Sequence, residues 1–371
     1  QWINESETAR WAYQRWVWRS ALAKQGKPCR NTYQEELRTN LKKADLATRE
    51  KYKDRCESVP TGRSFALKKA VDNIAAEMSG GVDSAAACII LKAAGYKVFG
   101  VTLKIWHDMN RCCEISDAAR ICAVLGIPYS VVNMEAEFDE KVVTPFVDAY
   151  CKGLTPSPCT GCNPEIKWKG LMKAAGYHNA EFVATGHYAR IEKTHSGRLS
   201  VATSEHSEKD QSYMLYRLTQ GMLERTMFPL GDITKEQARQ IVQAAGIPFF
   251  NKAESQEICF IRDGDYASFI EERMEGNVPP EGDYVTPAGE SLGHHKGIIN
   301  YTVGQRRGLG IALGERQYVT KIDPESNRVV IGDDKDLYKD KITCRDICFM
   351  GLSDIKEGEE VRLSGRIRYH H

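Results

Sequence analysis

Ile74-Ala75-Ala76-Glu77-Met78-Ser79-Gly80-Gly81-Val82-Asp83-Ser84 is the stretch from which the rest of the chain is read. A short apolar run ends in a glycine pair, and a helical pattern, Ala85–Ala94, begins at once. Two glycines let a backbone turn tightly and approach an anion with no Cβ in the way. The helix start that follows offers unpaired N–H groups and the positive end of a dipole. The hydroxyls of Ser79 and Ser84 add donors. Strand, turn and helix make a phosphate cradle, although the string is neither a G-x-x-x-x-G-K-[ST] loop nor a G-x-G-x-x-G fingerprint. A plain glycine turn accounts for two glycines but not for the full string in this context.

Downstream, strand and helix patterns alternate. Val98–Leu103 reads as a strand, Asp117–Leu125 as a helix, and Tyr129–Val132 as a strand after the turn Gly126-Ile127-Pro128. Phe138–Tyr150 reads as a helix and Phe182–Thr185 as a strand. The alternation predicts an α/β unit over 71–225: a parallel sheet with helices on both faces, and ligands at the C-terminal strand ends. Helical content falls over 226–285, a small central domain. From 286 to 371, short runs such as Gln317–Ile322 and Arg328–Ile331 lie between turn residues. They predict a small antiparallel β-barrel, and its pattern stops in mid-strand at Ile367–His371, which reads as truncation.

Upstream, residues 1–70 read as a helical extension. Trp11, Trp18 and Leu22 share one helix face, and Thr32 with Glu35 forms a capping box. The Trp stripe fits a packing face better than a base-stacking platform. The extension carries 16 Lys/Arg against 8 Asp/Glu, and the remainder 35 against 42, so the net charge of +1 hides a basic appendage on an acidic body. That asymmetry fits an anionic partner, and equally a solvated helical surface.

No window of the 371 residues is long and apolar enough to cross a bilayer, and the first ten residues lack the apolar core of a secretory signal. A cytoplasmic location and no membrane partner are expected. The twelve cysteines do not form a secreted disulfide framework. Cys88 and Cys122 lie in apolar helical patterns and read as buried small hydrophobes; Cys112 and Cys113 are adjacent.

The second chemistry-bearing string is Thr155-Pro156-Ser157-Pro158-Cys159-Thr160-Gly161-Cys162-Asn163, a proline-stiffened C-x-x-C loop followed by a helix from Glu165. Far downstream lies Ser255-Gln256-Glu257-Ile258-Cys259-Phe260. A cysteine beside a helix start or basic groups is partly thiolate at neutral pH. Two such cysteines can pass sulfur, one holding a persulfide and the other resolving it as a disulfide. Buried thiols and structural zinc are the alternatives, and zinc lacks a second C-x-x-C here. An iron–sulfur cluster on Cys159, Cys162 and Cys259 stays open.

The Ser79–Ser84 string resembles the pyrophosphate loop of the N-type ATP pyrophosphatases, which cleave ATP between its α- and β-phosphates and adenylate a carbonyl oxygen. The strings at Cys162 and Cys259 resemble the tRNA-specific 2-thiouridylase family. So do Ala184-Thr185-Gly186-His187-Tyr188-Ala189-Arg190, Lys209-Asp210-Gln211-Ser212-Tyr213 and Tyr301-Thr302-Val303-Gly304-Gln305-Arg306-Arg307-Gly308-Leu309-Gly310. The resemblance spans residue 74 to the C-terminus.

It implies ATP- and Mg²⁺-dependent 2-thiolation of the wobble uridine in tRNA-Lys, tRNA-Glu and tRNA-Gln, with sulfur from a cysteine desulfurase or a sulfur-carrier protein. By resemblance, Cys162 is the nucleophile or acid/base partner and Cys259 carries the persulfide, and the two pair as a disulfide during turnover. Glu77, Met78, Ser79, Gly80, Gly81, Val82, Asp83, Ser84, Leu103 and Gly186 contact ATP. Ser157, Pro158 and Cys159 border the target base, and His187, Lys209, Asp210, Gln211, Arg368 and Tyr369 touch tRNA. Arg306 and Arg307 fit phosphate contacts, which position RNA without reading it.

Residues 1–70 have no counterpart in the family, and Cys159 stands where the family has Cys or Asp. Glu77 replaces a small or apolar residue; aimed at phosphate it would weaken ATP binding, aimed away it is harmless. A ligating or amidating ATP pyrophosphatase, or a tRNA-binding relative without activity, are the rival readings.

Overall fold

A computed structural model describes residues 73–106, 115–247, 258–261, 264–311 and 316–365. The expectations for 1–70, Cys112, Cys113, Ser255–Glu257, Arg368 and Tyr369 lie outside those residues.

Five strands form a wholly parallel sheet: β1 (Asn73–Glu77), β2 (Lys97–Lys104), β3 (Tyr129–Asn133), β4 (Phe182–Ala184) and β7 (Thr226–Met227). Their spatial order is β3-β2-β1-β4-β7. The chain builds outward from β1 through β2 to β3, then returns to place β4 on the other side of β1. The order therefore reverses between β1 and β4, and their C-terminal ends flank the crevice where open parallel sheets hold ligands. The loop after β1 is Met78–Gly81, part of the string read from the sequence as a phosphate cradle. The expected boundary at 225/226 falls just ahead of β7, the strand that completes the sheet.

Side chains alternate along β1. Ala75 faces one core with Val101, Leu103, Val183, Phe138 and Trp168. Ile74 and Ala76 face the other, against α1 (Val82–Ala93), α2 (Ile115–Leu125) and α8 (Lys235–Ala244). Burial on both faces is what a parallel sheet between helix layers requires. Cys88 and Cys122 are buried here, and burial pushes the Cys122 thiol up to about 12. They pack as small hydrophobes, as the sequence predicts.

Two long helical stretches cover the first face, and each contains a wide π turn. One runs α3 (Glu135–Phe138), π turn Asp139–Val143, α4 (Thr144–Cys151). The other runs α5 (Pro158–Cys162), π turn Asn163–Trp168, α6 (Lys169–Tyr177). Pro145 follows the first π turn and Pro164 lies in the second. A proline inside a helix lacks its N–H and collides with the carbonyl four residues back. Widening the turn to an i→i+5 pattern relieves the collision and lets the carbonyl accept from a later N–H.

β5 (Ala189–Lys193) and β6 (Leu199–Thr203) form an antiparallel hairpin, and α7 (Gln220–Leu223) and α9 (Tyr266–Arg273) complete the helices. The C-terminal sheet has the order β10-β11-β8-β9, from β8 (Gly282–Val285), β9 (Ser291–His295), β10 (Tyr318–Asp323) and β11 (Arg328–Gly332). It corrects the expected all-antiparallel pattern: β8–β9 and β10–β11 are antiparallel, but β8 and β11 run parallel. The long connection from β9 through Ile298–Asn300 to β10 permits that join. Tyr284, Ile298, Tyr301, Val319 and Val329 form its core.

Candidate active site

The loop after β1 is held by its own hydroxyls. The Ser79 amide donates to Ser84 Oγ at 3.2 Å, the two serine hydroxyls lie 3.2 Å apart, and Ser84 Oγ donates to the Gly81 carbonyl at 3.1 Å. Gly80 has φ +72°, a conformation that glycine adopts without strain. Gly81 caps α1 in extended conformation, and no side chain caps the helix. The first N–H groups of α1 thus face the crevice with the positive end of the helix dipole behind them. Met78 is fully buried, its amide donating to the Val101 carbonyl at 2.8 Å.

The turn after β4 closes against this helix start. A Cβ on Gly186 would lie 2.8 Å from both the Asp83 carbonyl carbon and the Ser84 nitrogen, so only glycine allows the two segments to touch. Asp83 is fixed from two directions: the Tyr188 hydroxyl donates to Oδ1 at 2.8 Å, and Lys235 Nζ reaches both carboxylate oxygens at 2.8 Å. Val82 and Ser84 are buried, and Leu103 packs its side chain toward Gly170 of α6.

The cysteine helix forms the opposite wall. Pro158 occupies its first turn, where its missing N–H costs nothing. Ser157 and Cys159 are exposed, while Cys162 is 7 % exposed, in the core. The Arg217 guanidinium lies beside Gly161, a basic neighbour for the C-x-x-C turn. On the same helix Lys167 forms an ion pair with Glu77 at 3.3 Å, with side-chain exposures of 26 % and 11 %. The Glu77 carboxylate is therefore aimed at the cysteine helix and neutralised there.

Cys259 is half-buried against the core that holds Cys162. Its neighbour Phe260 anchors it, with ring centroids 5.6 Å from Phe138, 5.2 Å from Phe146 and 5.4 Å from Phe269. Cys162 and Cys259 are both thiols. Among the described residues no three His, Cys, Asp or Glu side chains form a group that could hold a metal ion. Of the three cysteines, Cys159 is exposed, Cys162 buried and Cys259 intermediate.

The residues expected at tRNA divide. Lys209 is partly exposed. Asp210 is buried and accepts from the Ser204 amide at 2.9 Å and the Ser212 hydroxyl at 2.7 Å. Gln211 Oε1 accepts from the Tyr188 amide at 3.0 Å. These two build the turn that presents Tyr188 to Asp83. His187 is buried, shares a 2.8 Å hydrogen bond with Thr185 Oγ1, and packs 5.9 Å from the Trp168 ring. Burial, then the Lys167 charge, holds its pKa well below the usual histidine range, so the ring is neutral. Arg306 and Arg307 are exposed on the C-terminal domain.

Lys167, Tyr188, Arg217 and Lys235 were not singled out from the sequence for these roles. Tyr188 lay inside a recognised string and Lys167 five residues past Cys162; nothing local marks Lys235.

Comparison with known proteins shows the family. Residues 72–263 match the family described as tRNA methyl transferase HUP domain, and residues 267–333 match its PRC-barrel domain. A tRNA-specific 2-thiouridylase MnmA from Lachnoclostridium phytofermentans is 44% identical over 305 residues, covering 79% of this chain and 85% of its own length. Another, from Clostridioides difficile, is 43% identical over 302 residues, covering 79% and 83%. A solved U34-tRNA thiolase NcsA from Methanococcus maripaludis, with its [4Fe-4S] cluster, aligns over 63% of this chain and 74% of its own at 16% identity and a TM-score of 0.38.

Proposed function

The chain belongs to the tRNA-specific 2-thiouridylase family, and from that premise we propose that it thiolates C2 of the wobble uridine in tRNA-Lys, tRNA-Glu and tRNA-Gln, using ATP. One observation carries the reading beyond family membership. The helix that bears Cys162 also bears Lys167, and Lys167 pairs with Glu77 at the root of the phosphate loop. Nucleotide activation and thiol chemistry thus meet on one crevice, at the point where the strand order reverses.

The steps follow from the walls of that crevice. Loop amides of Ser79–Ser84 and the α1 dipole hold the β- and γ-phosphates, and Mg²⁺ would enter with ATP to neutralise the departing pyrophosphate. The uridine must leave the anticodon stack to reach the site, and Ser157–Cys159, with Ser157 and Cys159 exposed, border where its base would lie. Its C2 oxygen bonds to the α-phosphorus, and the bond to the β-phosphate breaks. The terminal sulfur of a persulfide on Cys259 adds to C2, and AMP departs with the original oxygen. The Cys162 thiolate then attacks the Cys259 sulfur, leaving sulfur on the base and a Cys162–Cys259 disulfide, which two electrons from a thiol reductant reset. A cysteine desulfurase or carrier protein supplies the persulfide. Lys209, Arg306 and Arg307 make phosphate contacts to tRNA. No helix among the described residues is long and apolar enough to cross a membrane.

The test is an anaerobic assay on unmodified tRNA-Glu transcript with ATP, Mg²⁺ and a cysteine desulfurase. The wild type is expected to form 2-thiouridine, while Cys162→Ser and Cys259→Ser release pyrophosphate without thiolating. Product formation by both variants would sink the two-cysteine scheme; absence of tRNA-dependent pyrophosphate release from the wild type would sink the reading.

A further inference from the structure

We propose that Lys167 is the cation that receives the α-phosphate during adenylation, and that Glu77 positions it there; the inference rests on the thiolase reading. The chemistry restricts where the α-phosphate can lie. C2 of the uridine must be reached both by the α-phosphorus, through its oxygen, and by sulfur. The α-phosphate therefore sits between the Ser79–Ser84 loop and the cysteine wall, on the face of the sheet covered by α5 and α6.

Lys167 is the ammonium at that place. Glu77 and Ala75 are two residues apart on β1 and share the face that packs on Phe138 and Trp168. Lys167 reaches Glu77 from the helix above this face, and its charge is felt by His187 in the turn after β4. It thus touches or influences three segments of the crevice: the end of β1, the turn after β4, and its own cysteine helix. The π turn sets its direction. In an ordinary α-helix, residues five apart point about 140° away from each other. The wider π turn over Asn163–Trp168 reduces that offset, so Lys167 and Cys162 diverge less than they would in an unbroken α-helix.

As the uridine oxygen bonds to phosphorus and pyrophosphate leaves with its electron pair, negative charge grows on the α-phosphate oxygens. A fixed ammonium stabilises that charge more than it stabilises bound ATP, so its effect falls on kcat. Glu77 keeps the flexible lysine stem in one geometry before substrates arrive. This gives a role to the buried Glu77 carboxylate.

The experiment measures steady-state, tRNA-dependent pyrophosphate release by the full chain, with ATP varied and tRNA-Glu transcript saturating. Lys167→Met alone leaves Glu77 buried without its partner and endangers folding. The informative protein is therefore the double variant Lys167→Met/Glu77→Gln, checked by thermal unfolding. Its kcat is expected to fall about 100-fold with the KM for ATP within about threefold, as for loss of a contact made in the transition state. Lys167→Arg is expected to recover kcat to within about tenfold, since the charge remains but its geometry differs. Glu77→Gln alone is expected to lower kcat about fivefold, a positioning loss, with the KM for ATP unchanged. A folded double variant with wild-type kcat, or one altered only in KM, overturns the role of Lys167 and leaves the thiolase reading intact. A wild type that releases no pyrophosphate with tRNA overturns both.

Discussion

At Gly186 a side chain would have to share space with the peptide joining Asp83 to Ser84, which lies 2.8 Å from its Cβ position. Backbone on one side and a helix start on the other leave no flexible group to yield. Gly186→Ala should push the β4 turn away from α1, at a cost of about 1–3 kcal/mol from overpacking. Since the turn lines the proposed nucleotide crevice, the KM for ATP should rise about tenfold. Titrating ATP in the pyrophosphate assay checks this; an unchanged KM would mean that the loop tolerates the displacement. Lys235 poses a related question from 152 residues away. Lys235→Met removes the cation from Asp83 and leaves Tyr188 as the carboxylate's hydrogen-bond donor at 2.8 Å. ATP affinity should weaken about threefold to tenfold through loss of positioning, with tRNA binding retained. The glycines and serines of the loop were legible because their chemistry is local. Lys167 and Lys235 were not, because a lone lysine on a helix is most often a solvated charge. Only the tertiary arrangement shows which carboxylate each one meets.

Among the elements, the cysteine helix diverged most from its pattern. Periodicity placed one helix over 138–150 and another from Glu165, whereas the structure runs continuous helical stretches over 135–151 and 158–177. Pro164 explains the late start of the second, whereas the first pattern already ran across Pro145. Read locally, a proline marks a boundary, but here each lies within or just after a π turn that lets the helix continue. Two-residue β7 escaped notice for another reason, being too short to show any period. By contrast β1, β2 and β3 fell within a residue or two of expectation, because buried parallel strands read as apolar runs. The register of the π turn has a measurable consequence. Pro164→Ala restores an N–H that can bond to the carbonyl of Thr160, favouring ordinary α-helical register by about 1 kcal/mol. Lys167 would then rotate off Glu77 and away from the crevice. Pyrophosphate release should fall at least tenfold by loss of that contact, while thermal stability holds or rises. Loss of activity together with a marked loss of stability would instead indicate that Pro164 serves packing alone.

For the molecule as a whole, the pattern legible before folding was the alternation that makes a parallel sheet. The strand order was not, yet the order places the proposed site, since the reversal between β1 and β4 brings Gly186 against Asp83 and Ser84 at the start of α1. Folding also sets the response to acid. Burial holds His187 well below its ordinary pKa, with the Lys167 charge acting in the same direction. His295 in the C-terminal core is lowered too, by burial, against the opposing pull of its hydrogen bond to the Asn327 carbonyl and of nearby Asp283. For each, the unfolded chain takes up a proton at a pH near 6.5 while the folded chain still resists it. The unfolded state then binds more protons, so stability is fully present above about pH 6.5 and declines as pH falls toward the folded values. Urea unfolding should accordingly show a lower midpoint at pH 5.5 than at pH 7.5. His187→Asn keeps a group able to meet Thr185 but has no proton to take up, and should flatten that dependence. His295→Asn should flatten the remainder, because the two rings lie in separate cores and their contributions add. If the midpoint falls equally in the wild type and in both variants, the acid sensitivity arises elsewhere, and neither buried imidazole controls it.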